Sequence, residues 1–208
     1  MRSSTHSDKT IFVAQQANTR FLIEAQRYPM CINNKTTPIK IQSATINDCF
    51  EVAILHVKTW QHAYRGMLPE CYLNSLSVSD REIMWRRMIK QQSAQLLVAR
   101  IAEQITGFVA FGASRDKDAS IDRSEIWAIY VAPESWSMGI GHSLWVSAQQ
   151  EIIAKGYTSA SLWLLADNEK ALRFYERVGF TLEPSSRKSF ELGGVEVEEI
   201  RCIRPRLI

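Results

Sequence analysis

No stretch of the sequence approaches the ~18 consecutive apolar residues of a membrane-spanning helix, so none is expected. Cysteine is scarce: four residues, at 31, 49, 71 and 202, none at a short paired spacing. That argues against a zinc site and a disulfide framework, and suits reduced thiols in a cytoplasmic protein. No metal is expected. Charge of one sign is also lacking. The formal net charge is +3, and the basic residues never form a long run. Arg86-Arg87 with Lys90 is their densest group and reads as the solvated face of a helix. Nucleic-acid binding and membrane association are therefore not implied. The opening residues, Met1-Arg-Ser-Ser-Thr-His, lack the apolar segment of a secretory signal. Internal repeats and low-complexity tracts are absent. So is the nucleotide-triphosphate loop, because no Gly-x-x-x-x-Gly-Lys-Ser/Thr occurs. The dinucleotide fingerprint fails too, since Leu144 stands where its third glycine belongs.

What is present is a chain of 208 residues, 46% hydrophobic, enough for a sizeable core. Its most informative stretch runs from Glu125 to Ser143. Ile126 to Val131 is a short, β-branched and aromatic run that reads as a strand buried on both faces. Pro133 cannot continue a central ladder, so the strand ends near it. Gly139-Ile140-Gly141 follows, then a helical pattern with Leu144, Trp145, Ala148 and Ile152 on one face. A strand, a glycine turn and a helix start make an anion site: free N–H groups and the positive helix end converge there. A second buried strand is read at Leu162 to Leu165, followed by a helix from Asn168 to Gly179.

Together these stretches resemble the GNAT-type N-acetyltransferase superfamily. Its pyrophosphate loop, Gln/Arg-x-x-Gly-x-Gly/Ala, is matched by Trp136-Ser-Met-Gly139-Ile-Gly141, with Trp136 departing from the first position. Its second signature, Asn-x-x-Ala-x-x-Phe-Tyr-x-x-x-Gly-Phe, is matched from Asn168 to Phe180. The resemblance covers about Pro38 to Arg204.

In chain order, residues 1–37 are polar and poorly periodic and read as a flexible extension. A weak transit segment, or translation starting at Met30, are the alternatives. Residues 38–208 read as a single domain. A strand pattern at Pro38 to Ser43 precedes Thr45 or Asn47 as a helix cap, and the helix ends near Gly66. A second helical pattern starts at Leu68, and Ser79 is read as the cap of a third over Asp80 to Ile89. In the superfamily this insert walls the acceptor site, making Trp60, Tyr64 and Tyr72 candidates for that wall. They could equally be core aromatics. A hairpin pair spans Gln95 to Ile101 and Ile105 to Phe111, and Ser114 to Asp122 is a charged loop. Gly156 suits a helix C′ position and Asn168 a helix cap. Lys188 to Leu192 and Val195 to Ile203 flank the hairpin signal Gly193-Gly194, with a bulge expected at Glu198-Glu199. The resemblance implies an α/β (α+β) fold: a mixed, mostly antiparallel sheet of about six to seven strands with helices on both faces. Its fourth and fifth strands would be parallel and splayed.

The resemblance also implies acetyl-CoA as co-substrate. Its pyrophosphate would rest on the N–H groups of Ser137, Met138, Gly139, Ile140, Gly141 and His142. Main-chain groups of Ile129, Tyr130 and Val131 would meet the thioester and pantetheine, and Asn168 and Ala171 would touch the pantetheine arm. Tyr175 is the candidate donor to the departing sulfur, or else an amphipathic core tyrosine. Glu125 is the candidate base, or else a strand-end carboxylate. The expected activity is acetyl transfer to a primary amine of a small molecule or peptide, by a monomer or homodimer. A non-catalytic CoA-binding module is the alternative.

Overall fold

The computed structural model describes residues 38–207, so the reading of residues 1–37 lies outside the described residues. Strand β1 (Lys40–Ser43) leads through a short 3-10 turn (Ile46–Asp48) into α1 (Cys49–Ala63). Of the two candidate caps, Thr45 holds this start. Its N–H and hydroxyl both donate to Asp48 Oδ2, at 2.6 and 2.9 Å. The helices α2 (Glu70–Asn74) and α3 (Val78–Gln91) complete the insert. The cap of α3 is Ser77, not Ser79: Ser77 Oγ accepts from Asp80 N at 3.1 Å. An N-cap hydroxyl must reach the third helical N–H, and only Ser77 stands three residues before that donor.

The remaining elements are β2 (Gln95–Ile101), β3 (Gln104–Ala113), β4 (Arg123–Val131), α4 (Ile140–Ala154), β5 (Ser159–Leu165), α5 (Glu169–Arg177), β6 (Thr181–Leu192) and β7 (Val195–Arg204). The seven strands form one sheet in the order β1-β2-β3-β4-β5-β7-β6. Its pairs are antiparallel except β4 with β5. Alternation along β2 and β3 sends Leu97, Ala99, Val109 and Phe111 to one face and Leu96, Val98, Phe108 and Ala110 to the other. The central strands therefore carry apolar residues on both faces, and each face needs a helical cover. On one face lie α4, through Leu144, Trp145, Ala148 and Ile152, and α5, through Tyr175. On the other lie α1, through Val52, Ala53 and Leu55, and α3, through Trp85 and Met88. Each fully buried Leu or Val side chain contributes about 1.5–3 kcal/mol. Among the described residues no helix is long and apolar enough to cross a membrane.

The C-terminal hairpin differs from expectation at both ends. β6 begins at Thr181 rather than Lys188, and the irregularity lies on β6 rather than at Glu198-Glu199. Residues 184–187 stand opposite the single Ile200, between the pairs Glu183↔Arg201 and Lys188↔Glu199. Pro184 has no N–H to give a ladder. Ser186 Oγ fills the gap by accepting from Arg201 N at 2.9 Å and donating to Glu183 O at 2.6 Å. At the hairpin turn, Gly193 has φ +64 and lies so close to Tyr72 that a Cβ would stand 2.5 Å from its ring. The insert and the hairpin tip are thereby packed together.

Candidate active site

β4 and β5 pair only from Arg123↔Ser159 to Ile126↔Leu162. Beyond that point β4 follows β3 to Val131 while β5 follows β7 to Leu165, and the two part. A bulge helps to aim the free end of β4. Ala110 pairs with Ala128 and Phe111 with Ile126, leaving Trp127 as the extra residue. Trp127 and Ala128 consequently face the same side, and the alternation resumes with Tyr130 beside them. Ile126, Ile129 and Val131 face α4.

On the α4 side stands the glycine loop. Ala132 to Trp136 wind as a 3-10 turn, and α4 begins after Gly139 at φ +80, ψ −3. A side chain at that φ is strained, yet the space around its Cβ is open. The first intrahelical bond runs from Ser143 N to Gly139 O at 3.0 Å, so the N–H groups of Ile140, Gly141 and His142 precede the ladder. Ser137 and Met138 are exposed beside them. Trp136, where the motif has Gln or Arg, fastens the loop. Its indole donates to Val131 O at 2.8 Å, Lys170 Nζ lies 2.9 Å from a ring centroid, and His62 packs edge-on at 4.9 Å. One main-chain acceptor expected to face ligand, Val131 O, is therefore engaged by Trp136. Ala132 N bonds Thr106 O on the β3 side, so by alternation the groups of Tyr130 turn to β3 and those of Ile129 turn to the side β5 has left. Asn168 caps α5, its Oδ1 accepting from Ala171 N at 3.1 Å.

On the opposite face, under α1 and α3, lies a pocket of ≈ 150 Å³. Its walls include His56, Trp60 and Tyr64 of α1, Trp85 of α3, Glu125, Trp127 and Tyr130 of β4, and Trp163 of β5. Of the three expected wall residues, Trp60 and Tyr64 line it, whereas Tyr72 packs beneath the hairpin tip. Glu125 is 1% exposed and held by Arg115. Arg115 N donates to Oε2 at 2.8 Å, Nε lies 3.2 Å from both oxygens, and Nη2 pairs with Oε1. The same guanidinium lies 4.3 Å over the Trp127 ring.

The two sides meet where the strands part. Trp60 Nε1 donates to Tyr130 Oη at 2.9 Å. The Tyr64 hydroxyl interacts with Tyr130, Tyr175 and Asn168. Burial raises the Tyr64 hydroxyl well above the usual tyrosine range, with Tyr130 and Tyr175 adding to it and Asn168 opposing. Tyr175, on α5, is 7% exposed, and burial raises its hydroxyl strongly, with Tyr130 and Cys202 adding. The hydroxyl therefore keeps its proton at physiological pH and is available to donate. Burial, then Arg81, push His56 well below the usual histidine range, so this imidazole is neutral.

The charged loop after β3 is not simply solvated. Asp116 is buried and accepts from Trp163 Nε1 at 3.1 Å. Arg201 joins it at 3.2 Å, with Asp118 at 2.7 Å and Glu183 at 2.6 Å. The bonds to Asp118, Glu183 and Asp116 hold Arg201 charged against its own desolvation. Only Asp116 pairs with Arg201 out of solvent, and removing one partner of such a buried pair typically costs ~3–5 kcal/mol. Arg115, Arg81 and His56 were not singled out by sequence reasoning. Their partners lie across the fold, and no local spacing signals them.

Sequence and fold comparisons agree on what this chain is similar to. It is 27% identical over 164 residues to the uncharacterised N-acetyltransferase YuaI of Bacillus subtilis, covering 78% of this chain and 90% of that one. Its fold matches the PaiA N-acetyltransferase of Thermoplasma acidophilum in complex with coenzyme A, with TM-score 0.61, 21% identity, and 78% and 98% of the two chains covered. It also matches yncA of Salmonella typhimurium, a putative acetyltransferase with acetyl-CoA, with TM-score 0.63, 17% identity, and 82% and 95% covered. The sequence model of the acetyltransferase (GNAT) family matches residues 58–180, more than half the sequence, and the chain belongs to that family.

Proposed function

We propose that this acetyltransferase uses acetyl-CoA to acetylate a primary amine of a small molecule or peptide, held in the pocket under α1 and α3. The observation carrying this reading is the parting of β4 and β5. It joins the aromatic pocket on one face to the glycine loop on the other, with Tyr64, Tyr130, Tyr175 and Asn168 between them. The chain's own groups fit the co-substrate. Gly139 leaves open space at the helix start, and the N–H groups of Ser137, Met138, Gly139, Ile140, Gly141 and His142 suit a pyrophosphate. The main-chain groups of Ile129, on the side β5 has left, suit a pantetheine amide, as a strand edge does for a peptide, while Tyr130 is paired with β3 and Val131 O is held by Trp136. Asn168 and Ala171, joined at the start of α5, are the proposed contacts with the pantetheine arm.

Acetyl-CoA, when bound, supplies an activated acyl carbon. The acceptor nitrogen bonds to that carbon as the C–S bond breaks, and the amine gives up one proton. An alkylamine with pKa ~10.4 is only about one part in 2,500 neutral at pH 7, a handicap of roughly 4.6 kcal/mol. Glu125 is the proposed base. It lines the pocket one residue before the strands part, and Arg115 fixes its orientation. Tyr175 is the proposed donor to the departing sulfur, a role suited to a hydroxyl that burial keeps protonated.

The test is thiol release from acetyl-CoA across polyamines, amino acids, aminoglycosides and peptide N-termini, with products weighed by mass spectrometry. We expect release that depends on amine and matches N-acetylated product one for one. Acetyl-CoA binding without amine-dependent release would instead make the chain a CoA-binding module.

A further inference from the structure

The pocket wall holds buried polar nitrogens that no protein group satisfies. Both nitrogens of His56 and the indole nitrogens of Trp85 and Trp127 are buried without a partner, and all three residues line it. Close to this wall, though not part of it, stands Arg81, one turn before Trp85 on α3 and only 5% exposed. Its guanidinium lies 5.9 Å from the Trp60 ring centroid and acts electrostatically on His56, Tyr72 and Tyr130. Among the described residues no carboxylate is within ion-pair distance of Arg81, although Asp80, next to it in the chain, acts on it electrostatically. The buried Tyr72 hydroxyl near it is also unpartnered. Buried polar groups are almost always paired, so several unpaired donors around one cavity point to a ligand that supplies acceptors.

The carboxylates nearby do not reverse this balance. Glu125 is occupied by Arg115, Asp116 by Trp163 and Arg201, and Glu199 also has a partner. A polycation entering here would meet the Arg81 charge and indole N–H groups rather than free carboxylates. A dianionic phosphate would bring two charges against one guanidinium, with Glu125 and Glu199 in the wall. A single carboxylate matches neutral N–H donors with one guanidinium charge nearby. The rest of the wall, including Met84, Met88 and Leu164, is apolar, and the volume suits a side chain of amino-acid size.

We propose that the acceptor is a small amine bearing a carboxylate on an apolar body, its carboxylate met by the unpaired N–H groups of His56, Trp85 and Trp127, with the Arg81 charge close behind Trp60. This rests on the pocket being the acceptor site. Neutral His56 donates from one ring nitrogen and leaves the other as an acceptor, so its side chain also suits a hydroxyl or water beside the carboxylate.

The test is calorimetric titration of the CoA-loaded protein with matched pairs: phenylalanine against phenethylamine, methionine against 3-(methylthio)propylamine, leucine against isoamylamine. We expect the carboxylate member of at least one pair to bind at least about tenfold more tightly. Arg81→Met should erase that preference without altering CoA affinity or the affinity for the decarboxylated amine. If that variant is unfolded, Trp127→Phe, which removes one indole N–H, should reduce the preference instead. Equal or tighter binding of the decarboxylated members overturns the inference, as does a preference that survives Arg81→Met. If neither series binds while thiol release proceeds with a polyamine, the inference falls and the acetyltransferase reading stands. If the carboxylates bind with the expected preference but never yield thiol, the ligand class stands and the transfer reading falls.

Discussion

Glu125 offers a carboxylate with about four acceptor sites, and Arg115 fills three of them with its backbone N–H, Nε and Nη2. Any proton it takes from an amine must use what remains, directly or through one water. Glu125→Gln keeps the shape and removes the basicity. Turnover should fall mainly near neutral pH, and raising the pH should restore part of it by supplying neutral amine. A pH–rate profile unchanged by the substitution would rule Glu125 out as the base. Glu125 lies inside β4, paired with Gly112 and Ser161, rather than at a strand end, though its link to that strand was legible. Its clamp was not, because Arg115 sits in a loop whose charges read as solvated until the hairpin brings it back onto β4. His56 and Arg81 were hidden for a related reason. A lone histidine or arginine at helical spacing says nothing until the facing residues, here Trp60, Trp85 and Tyr130, are known.

The elements that local chemistry specifies were the legible ones. Asn168 caps α5, Gly156 adopts φ +87 after α4, and Gly193-Gly194 turns the last hairpin with φ +64 and +84. The irregular stretch of β6 was not legible. Its register is set by Arg201, which must reach Asp116 and Asp118 across the sheet, and by Pro184 interrupting the ladder. The glycine loop gives the clearest prediction for an element. Gly139→Ala pays only the backbone strain of a left-handed residue, ~1–2 kcal/mol, because the space at its Cβ is open. Gly139→Glu pays the same strain and adds a negative charge where a pyrophosphate would rest. Calorimetry should show acetyl-CoA affinity at least tenfold weaker for Glu than for Ala, about 1.4 kcal/mol. Equal affinities in two folded variants would remove the loop from the binding site.

For the molecule as a whole, two helical layers on one sheet place two openings back to back. The α4–α5 face carries the glycine loop, the α1–α3 face carries the pocket, and the parted strands connect them. The family resemblance begins only at about Pro38, so a chain starting at Met30 should fold and keep full acetyl-CoA affinity. Loss of soluble protein on that truncation would mean that the earlier residues pack on the core. The mixed, mostly antiparallel sheet and the parallel β4–β5 pair followed from the family resemblance; the order of the strands across the sheet did not. Nor did the pocket's contents, because acceptor walls come from loops and helices without a fixed code. The central claim is that chemistry occurs where the strands part, beside Tyr175. Tyr175→Phe keeps the ring against Phe174 and Phe180 and removes only the hydroxyl. With acetyl-CoA affinity and kcat measured on the same preparation, the affinity should stay within about twofold, well under the ~1.4 kcal/mol of a tenfold change. Over the same substitution kcat should fall by roughly tenfold to a thousandfold, given general-acid contributions of ~10² to 10⁴. An unchanged kcat, with chemistry limiting the rate, would contradict the account and leave Tyr175 as a packing residue.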